Sequence, residues 1–243
     1  MIKFIGQCVL NLITAVKYML DGRVRLSSVI SNAASIGYDS LPIAISIVFI
    51  AAVVIALQIS KQFLMSGGDS YVGGFMAIAL IREIAPGFAA LAISARAGTA
   101  VSSEIANMKV TSQVDAMKTL KVDPVGYYFA PRILAAAFTV PSIIILAELL
   151  GILGGMAVSY MTIGLHPARY LHSVWLLLSL KDIFVSILKG FIFGIIITTV
   201  CATQGYSTEG GAKNVGISTT EAAIKATVIL LSADLIIALL FYF

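Results

Sequence analysis

Residues 81–132 read IREIAPGFAALAISARAGTAVSSEIANMKVTSQVDAMKTLKVDPVGYYFAPR and carry six of the sixteen basic residues in a chain of 243. The stretch opens with the charged pair Arg82 and Glu83 inside an apolar run, and then turns polar. The whole chain is 59% hydrophobic and 12% charged, with a mean hydropathy of +1.01. Soluble domains carry roughly 25% charged residues. Composition therefore predicts an integral membrane protein, built from α-helices as spanning chains of this kind are.

Five apolar runs are long enough to cross a bilayer, which takes about 20 residues in a helix. Their predicted bounds are 41–59, 71–98, 130–161, 183–202 and 219–243. The first run begins with Pro42 in its first turn, where the missing N–H is harmless. The sequence therefore predicts a single membrane domain over residues 1–243 with five transmembrane helices.

Residues 1–40 are predicted to form an N-terminal amphipathic helix followed by a polar connection that could hold a short second helix. Apolar residues recur at helical spacing at Ile5, Val9, Leu12 and Val16, with polar residues opposite them. This pattern is typical of a helix lying in the membrane interface. A helix packed on a soluble partner would show the same pattern.

The basic residues that flank the spans predict the orientation. Nine lie on the side of the N-terminus: Lys3, Lys17, Arg23, Arg25, Lys109, Lys118, Lys121, Arg132 and Lys213. Three lie on the other side: Lys61, Arg169 and Lys181. Because cytoplasmic loops are enriched in Lys and Arg, the N-terminus is predicted to be cytoplasmic and the C-terminus to lie across the membrane.

Several classes of site are disfavoured by the sequence. No basic run is interleaved with aromatic residues, so nucleic acid is not an expected partner. Cys8 and Cys201 stand apart, without a CxxC or Cys/His cluster, so we expect neither a disulfide nor a metal site. The glycine-rich GGAKN at 210–214 lacks the spacing and the Ser/Thr of a P-loop. The two histidines, His166 and His172, are expected to be solvated in an external loop.

Arg82 and Glu83 lie about ten residues into the second apolar run, close to mid-bilayer. Charged residues there are costly and should face protein or a wet cavity. Neighbouring helix positions point about 100° apart, so the two should meet different partners. One interpretation is a polar spot in a substrate cavity, and the other is interhelical pairing with Glu148, Lys189 or Asp234. Four residues on from Arg82, Pro86 is expected to kink the helix and free carbonyls.

Residues 102–120 are predicted to form one amphipathic helix, capped by Ser102 or Ser103 and stopped at Asp123-Pro124. Its polar arc includes Glu104, Asn107, Thr111, Ser112, Asp115 and Lys118, with Met108 projecting among them. A cytoplasmic helix of this kind suits docking into a groove on a soluble partner, although it could also lie on the membrane surface. Small residues at Ala90, Ser94 and Gly98, and the GxxxG pairs Gly151/Gly155 and Gly190/Gly194, predict close helix packing.

Several motifs together resemble the MlaE-type permeases, the membrane subunits of lipid ABC transporters that work with MCE proteins. They are REIAP at 82–86, ARAGTA at 95–100, SEIANMKVT at 103–111, QVDAM at 113–117, VDP at 122–124, PR at 131–132, ELLGILGG at 148–155, SLKD at 179–182 and EGGAKNVG at 209–216. The chain departs from the family at Ala85 and Lys121, where glycine is usual, and at Ser112, where an acidic residue is common.

The resemblance implies a non-catalytic permease subunit in the inner membrane, with a periplasmic C-terminus and no cofactor of its own. It implies a homodimer beneath a ring of MCE subunits, with phospholipid in a cavity formed by Arg82, Glu83, Pro86 and the first-span residues Ile50 and Val54. Residues 102–120 would then be a coupling helix that docks on a separate ATPase, which binds the ATP and Mg²⁺.

Two other classes of function remain open on the sequence alone. A proton-coupled secondary transporter could use Glu83, Glu148 and Asp234 as a relay, but the chain has no internal repeat to favour such a fold. A purely structural membrane anchor would have no need of the buried charges.

Overall fold

A computed structural model describes residues 2–66 and 68–242, and every regular element in this part of the chain is helical. The α-helices are α1 (Ile2–Leu20), α2 (Leu26–Ser66), α3 (Val72–Ala79), α4 (Ala85–Ile93), α5 (Thr99–Val110), α6 (Gln113–Thr119), α7 (Pro124–Ile163), α8 (Pro167–Leu177), α9 (Leu180–Tyr206) and α10 (Ala212–Tyr242). Two π-helical turns, Leu80–Ile84 and Ser94–Gly98, join α3, α4 and α5 into one span. The last residue of the predicted fifth span, Phe243, lies outside the described residues.

Five helical segments are long and apolar enough to cross a membrane, which confirms the predicted all-α membrane fold. They are Leu26–Met65, Val72–Val110, Pro124–Ile163, Leu180–Tyr206 and Ala212–Tyr242. The helix α1 precedes them and has two different apolar faces. Cys8 and Ala15 are buried against the bundle, while Ile5 and Val9 are 45% and 50% exposed on the other side. An amphipathic helix with an outward apolar stripe fits a position in the membrane interface.

The polar connection predicted up to residue 40 is wrong beyond Leu26, because α2 runs unbroken for 41 residues. Pro42, predicted in a first turn, lies inside this helix. The helix continues because it packs along α7: Ile36 is buried, and a Cβ on Gly37 would lie 3.2 Å from Thr139 Cγ2. Packing against a neighbouring helix thus outweighs the polar composition and the one hydrogen bond lost at Pro42.

The predicted single helix over 102–120 is also wrong, because the chain forms two helices there. The first, α5, continues the second span from Thr99, so Ser102 and Ser103 lie inside a helix and cap nothing. It stays attached to the bundle because Ser102 and Ile105 are buried. The break follows Val110, where Ser112 takes the left-handed conformation with φ 61°.

The stop signal at Asp123-Pro124 acts at the start of α7. The Asp123 carboxylate accepts hydrogen bonds from the backbone N–H of Val125 and of Gly126. Pro124 occupies the first turn of α7, where its missing N–H is harmless. Lys121, between α6 and this cap, has φ 57°.

The loop expected between the third and fourth spans contains the helix α8, which the sequence analysis missed. Tyr170 and Ser173 of α8 pack on Gly73 and Gly74, where an added Cβ would meet backbone at 2.4–2.5 Å. His166 starts the helix, its Nδ1 accepting from the N–H of Ala168. The opposite face of α8 is open, and Trp175 is 83% exposed.

The predicted small-residue contacts are confirmed at the helix crossings. A Cβ on Gly98 would lie 2.8 Å from Cys201 Sγ, and one on Gly190 would lie 2.8 Å from the Cα of Pro141. On Gly194 it would lie 2.4 Å from the Ala136 carbonyl oxygen. These close approaches bring α9, the fourth span, against the second and third spans.

Candidate functional site

The first π-helical turn, Leu80–Ile84, presents both Arg82 and Glu83. Pro86 has no N–H, so it cannot bond the carbonyl of Arg82 four residues earlier. Lys189 of α9 takes the place of that donor, with Nζ 2.7 Å from the Arg82 carbonyl oxygen. The expectation that Pro86 frees a carbonyl thus agrees with the contacts, and the freed group is satisfied by a side chain from another span.

Lys189 is the centre of the polar cluster and is 0% exposed. Its Nζ lies 2.9 Å from Glu83 Oε2 and 2.7 Å from Asp234 Oδ1 of α10. One ammonium group therefore joins the second, fourth and fifth spans. The carboxylates differ in exposure: Asp234 is 16% exposed and Glu83 46%.

Arg82 has a separate set of partners at the start of α9. Its Nε lies 2.8 Å from Asp182 Oδ1, and its guanidinium carbon lies 4.5 Å from the ring centre of Tyr242. Asp182 is held in place by the N–H and hydroxyl of Ser179, which both donate to Oδ2. The two adjacent residues Arg82 and Glu83 thus meet different partners, as their helical geometry predicts.

Some of these partners are predictable from the sequence and others are not. Lys189 and Asp234 were candidates for pairing, whereas Glu148 lies elsewhere and accepts a hydrogen bond from Ser186. Asp182 was missed, although its position three residues after Ser179 is the spacing of a capping box.

The apolar residues predicted for the same cavity lie on two surfaces. Pro86 is buried within the second span. Ile50 and Val54 lie on the open face of α2 and are 61% and 46% exposed, while Arg82 and Glu83 pair with α9 and α10. Within one chain, the polar and apolar parts of the predicted cavity are therefore on different helices.

The segment predicted to couple to a partner is largely solvent-facing. Asn107, Thr111 and Ser112 are exposed and Met108 is half-buried. Three of the predicted contact residues form ion pairs within the chain: Glu104, Asp115 and Lys118. Glu104 Oε2 lies 2.7 Å from Arg132 Nη2.

The second of these residues, Asp115, lies between two lysines. Its Oδ1 is 3.4 Å from the Nζ of both Lys118 and Lys109. Hydrogen bonds from Lys118 and then from Lys109 lower the pKa of the Asp115 carboxyl. The exposed tip between α5 and α6, residues 107–118, therefore carries an ionised carboxylate paired with two lysines, together with uncharged polar groups.

Comparison with known proteins gives the family. The profile of the family described as Permease MlaE matches residues 29–240. The chain is 32% identical over 228 residues to a probable ABC transporter permease protein of Rickettsia typhi, covering 94% of this chain and 88% of that one. It is 32% identical over 209 residues to a probable ABC transporter permease protein of Synechocystis sp., covering 86% and 80%.

A plant protein is also similar over nearly the whole chain. It is the protein TRIGALACTOSYLDIACYLGLYCEROL 1, chloroplastic, of Arabidopsis thaliana, 27% identical over 237 residues, which cover 98% of this chain and 66% of the plant protein. With five membrane spans, a match to residues 29–240 and these relatives, the chain belongs to the MlaE family of ABC transporter permeases.

Proposed function

We propose that this permease moves phospholipid between the inner membrane and an MCE protein assembly, driven by ATP that a separate subunit binds with Mg²⁺ and hydrolyses. The observation that carries the proposal is the charged cluster in the second span, where Arg82 and Glu83 remain 35% and 46% exposed. Charged side chains that are partly exposed do not suit contact with acyl chains, but they suit a phospholipid headgroup. A guanidinium in particular matches phosphate geometry.

A relative supports a lipid as the class of substrate. The plant protein TRIGALACTOSYLDIACYLGLYCEROL 1 bears the name of a diacylglycerol lipid. A diacylglycerol lipid and a phospholipid share the two-chain glycerol body, and they differ in the headgroup.

The uneven burial of the spans supports a homodimer. The most apolar window of α2 is 28% buried and that of α10 is 17% buried, against 56% for the other three spans. We infer that a second copy meets these open faces and brings Ile50 and Val54 close to the charged cluster of one subunit or the other. The cavity then has an apolar wall for acyl chains and a polar spot for the headgroup.

The tip between α5 and α6 is the surface we propose for docking of the ATPase. The contact candidates lie in the last turn of the second span and just beyond it: Asn107, Met108, Thr111, Ser112 and Lys118. We expect Met108→Glu to reduce co-purification of the ATPase while the permease stays monodisperse, because a charge replaces an apolar anchor. Met161→Glu, the same change at an exposed methionine near the end of α7, is the matched control. An unchanged yield for Met108→Glu would place the docking surface elsewhere.

Lipid transfer in proteoliposomes tests the function. The permease, its ATPase and the MCE protein are reconstituted, and labelled phospholipid reaching the MCE protein is measured with and without ATP. We expect transfer that requires ATP, and we expect Glu83→Gln to slow it at least about tenfold, because a charge-assisted contact is lost. Glu221→Gln, which removes a half-exposed carboxylate outside the cluster, is the control.

The secondary-transporter hypothesis predicts a different result in the same assay. Transfer that follows a pH gradient and ignores ATP would favour it over our proposal. Membership of an ABC permease family argues against it, as does the lysine that Glu83 and Asp234 share. Full transfer by Glu83→Gln would instead assign the charged cluster a purely structural role.

A further inference from the structure

The second π-helical turn, Ser94–Gly98, carries the third charged residue of this span, Arg96. Such turns inside α-helices frequently occur at functional sites. The first turn presents Arg82 and Glu83, but the function proposed above makes no use of the second. Arg96 Nη2 lies 3.3 Å from Asp39 Oδ2 of α2, and the two side chains are 45% and 41% exposed. This is an open ion pair between two spans.

A cleft of about 50 Å³ lies beside this pair. Asn32 and Asp39 of α2 form one side, and Arg96 and Glu104 form the other. Arg132 of α7 also lines the cleft. The cleft thus gathers two arginines, two carboxylates and one amide from three different spans.

Arg132 is buried and has hydrogen-bonding capacity to spare. It is 6% exposed, its Nη2 lies 2.7 Å from Glu104 Oε2, and its Nη1 donates to the Tyr128 carbonyl at 2.9 Å. Its Nε has no hydrogen-bond partner among the described residues. A buried guanidinium with a free donor is costly, and an oxygen-rich ligand would satisfy it.

The charges of the cleft lie near the ends of three apolar runs, where lipid headgroups are expected. Asp39 comes two residues before the first apolar run, which starts at Leu41, and Arg132 directly precedes the apolar stretch of α7 from Ile133. Arg96 and Glu104 lie on either side of residue 98, where the second apolar run ends. Three separate segments of the chain therefore bring charges close to the same end of the apolar runs.

The charges of the two arginines and two carboxylates sum to zero. This balance distinguishes a zwitterionic ligand from a simple anion. A simple anion would meet the arginines but also two carboxylates. A headgroup with a phosphate and an ammonium group can pair with both signs at once. We propose that this cleft binds the zwitterionic headgroup of a bilayer phospholipid, with its phosphate on Arg96 and Arg132 and its ammonium on Asp39 and Glu104.

Binding of defined lipids to the purified permease tests the proposal. Phosphatidylethanolamine and phosphatidylglycerol with identical acyl chains are compared by native mass spectrometry, since they share the phosphate and differ in the ammonium. We expect phosphatidylethanolamine to bind about tenfold more tightly, the effect of one charge-assisted hydrogen bond. Glycerophosphoethanolamine, the headgroup without acyl chains, is expected to compete at high concentration, which separates headgroup recognition from binding of the chains.

Two variants break the same ion pair and should give different lipid profiles. Asp39→Asn is expected to abolish the preference for phosphatidylethanolamine and to leave phosphatidylglycerol binding intact. Arg96→Gln is expected to weaken both lipids about tenfold, because the phosphate contact is lost. Arg169→Gln, at an exposed arginine of α8, is the control and should change neither.

The proposal is overturned if the native chain shows no preference between the two lipids. It is also overturned if Asp39→Asn and Arg96→Gln give the same profile, since the pair would then act only to hold α2 on the second span. Binding at equilibrium needs neither an ATPase nor transfer. A failure here therefore leaves the transport proposal standing, and a failure of transport leaves this site standing.

Discussion

Lys189 donates hydrogen bonds to the Arg82 carbonyl and to Glu83, and its ammonium nitrogen also lies 2.7 Å from a carboxylate oxygen of Asp234. A fully buried lysine is stable as a cation only with such compensation. The same side chain donates a hydrogen bond to the Arg82 carbonyl, which Pro86 cannot bond. It also neutralises carboxylates from two spans. Movement of the fourth span relative to the second must therefore break contacts of this residue.

Lys121 has a backbone conformation that a residue with a Cβ adopts at a cost of about 1–2 kcal/mol. We expect Lys121→Gly to raise the free energy of unfolding by about 0.5–1 kcal/mol, after the extra entropy that glycine loses on folding. Thermal unfolding of the purified protein measures the change.

The matched control for this prediction is Lys121→Ala, which removes the charge but keeps the Cβ. Its stability should stay close to that of the native chain. An equal gain in both variants would show that the lysine charge, and not the φ of 57°, is responsible.

At the scale of helices, Gly194 marks where α9 crosses α7. A Cβ there would lie 2.4 Å from the Ala136 carbonyl oxygen, and backbone cannot yield as a flexible side chain does. We expect Gly194→Ala to lower the free energy of unfolding by about 1–3 kcal/mol, the cost of overpacking a close contact. Chemical denaturation in detergent measures it.

Gly216 is the matched position, because it lies in the helix α10 with nothing within 4 Å of an added Cβ. Gly216→Ala should be stabilising by about 1 kcal/mol through helix propensity alone. Equal losses in the two variants would contradict the packing argument.

The helices show what could and could not be predicted from the sequence. Spans are predictable because a run such as 41–59 has no alternative to the membrane interior. The extension of α2 back to Leu26 is not predictable, because it depends on packing against α7, about a hundred residues away in the sequence. The break at Ser112 was missed because a helical wheel assumes one continuous axis.

In the candidate site, too, some features are predictable from the sequence and others depend on packing. The charges of Arg82 and Glu83 stand out in an apolar run, so the sequence indicates them at once. Their partners lie about 100 or more residues away, and only the packing of α9 selects Lys189 and Asp182 over Glu148.

At the scale of the whole molecule, five spans put the two ends on opposite sides of the membrane. We expect Ser112→Cys to react with a membrane-impermeant maleimide only after the membrane is opened, and Arg169→Cys to react from outside intact cells. The reversed pattern would contradict the proposed cytoplasmic N-terminus.

The native chain is the background control for this labelling. Cys8 and Cys201 are free and buried. Burial also raises the pKa of the Cys8 thiol, which leaves less of the reactive thiolate at neutral pH. Signal from each introduced cysteine can therefore be assigned to that position.

Trp175 on the open face of α8 is the single tryptophan of the chain. All indole emission from the unlabelled protein consequently originates at one point, at the end of the bundle where α8 covers α3. A change in the emission wavelength or fluorescence lifetime of Trp175 therefore reports the polarity and the contacts of that surface alone. Trp175 is therefore an intrinsic fluorescent probe of this surface. Binding of another molecule to α8 can be followed through its emission without chemical labelling.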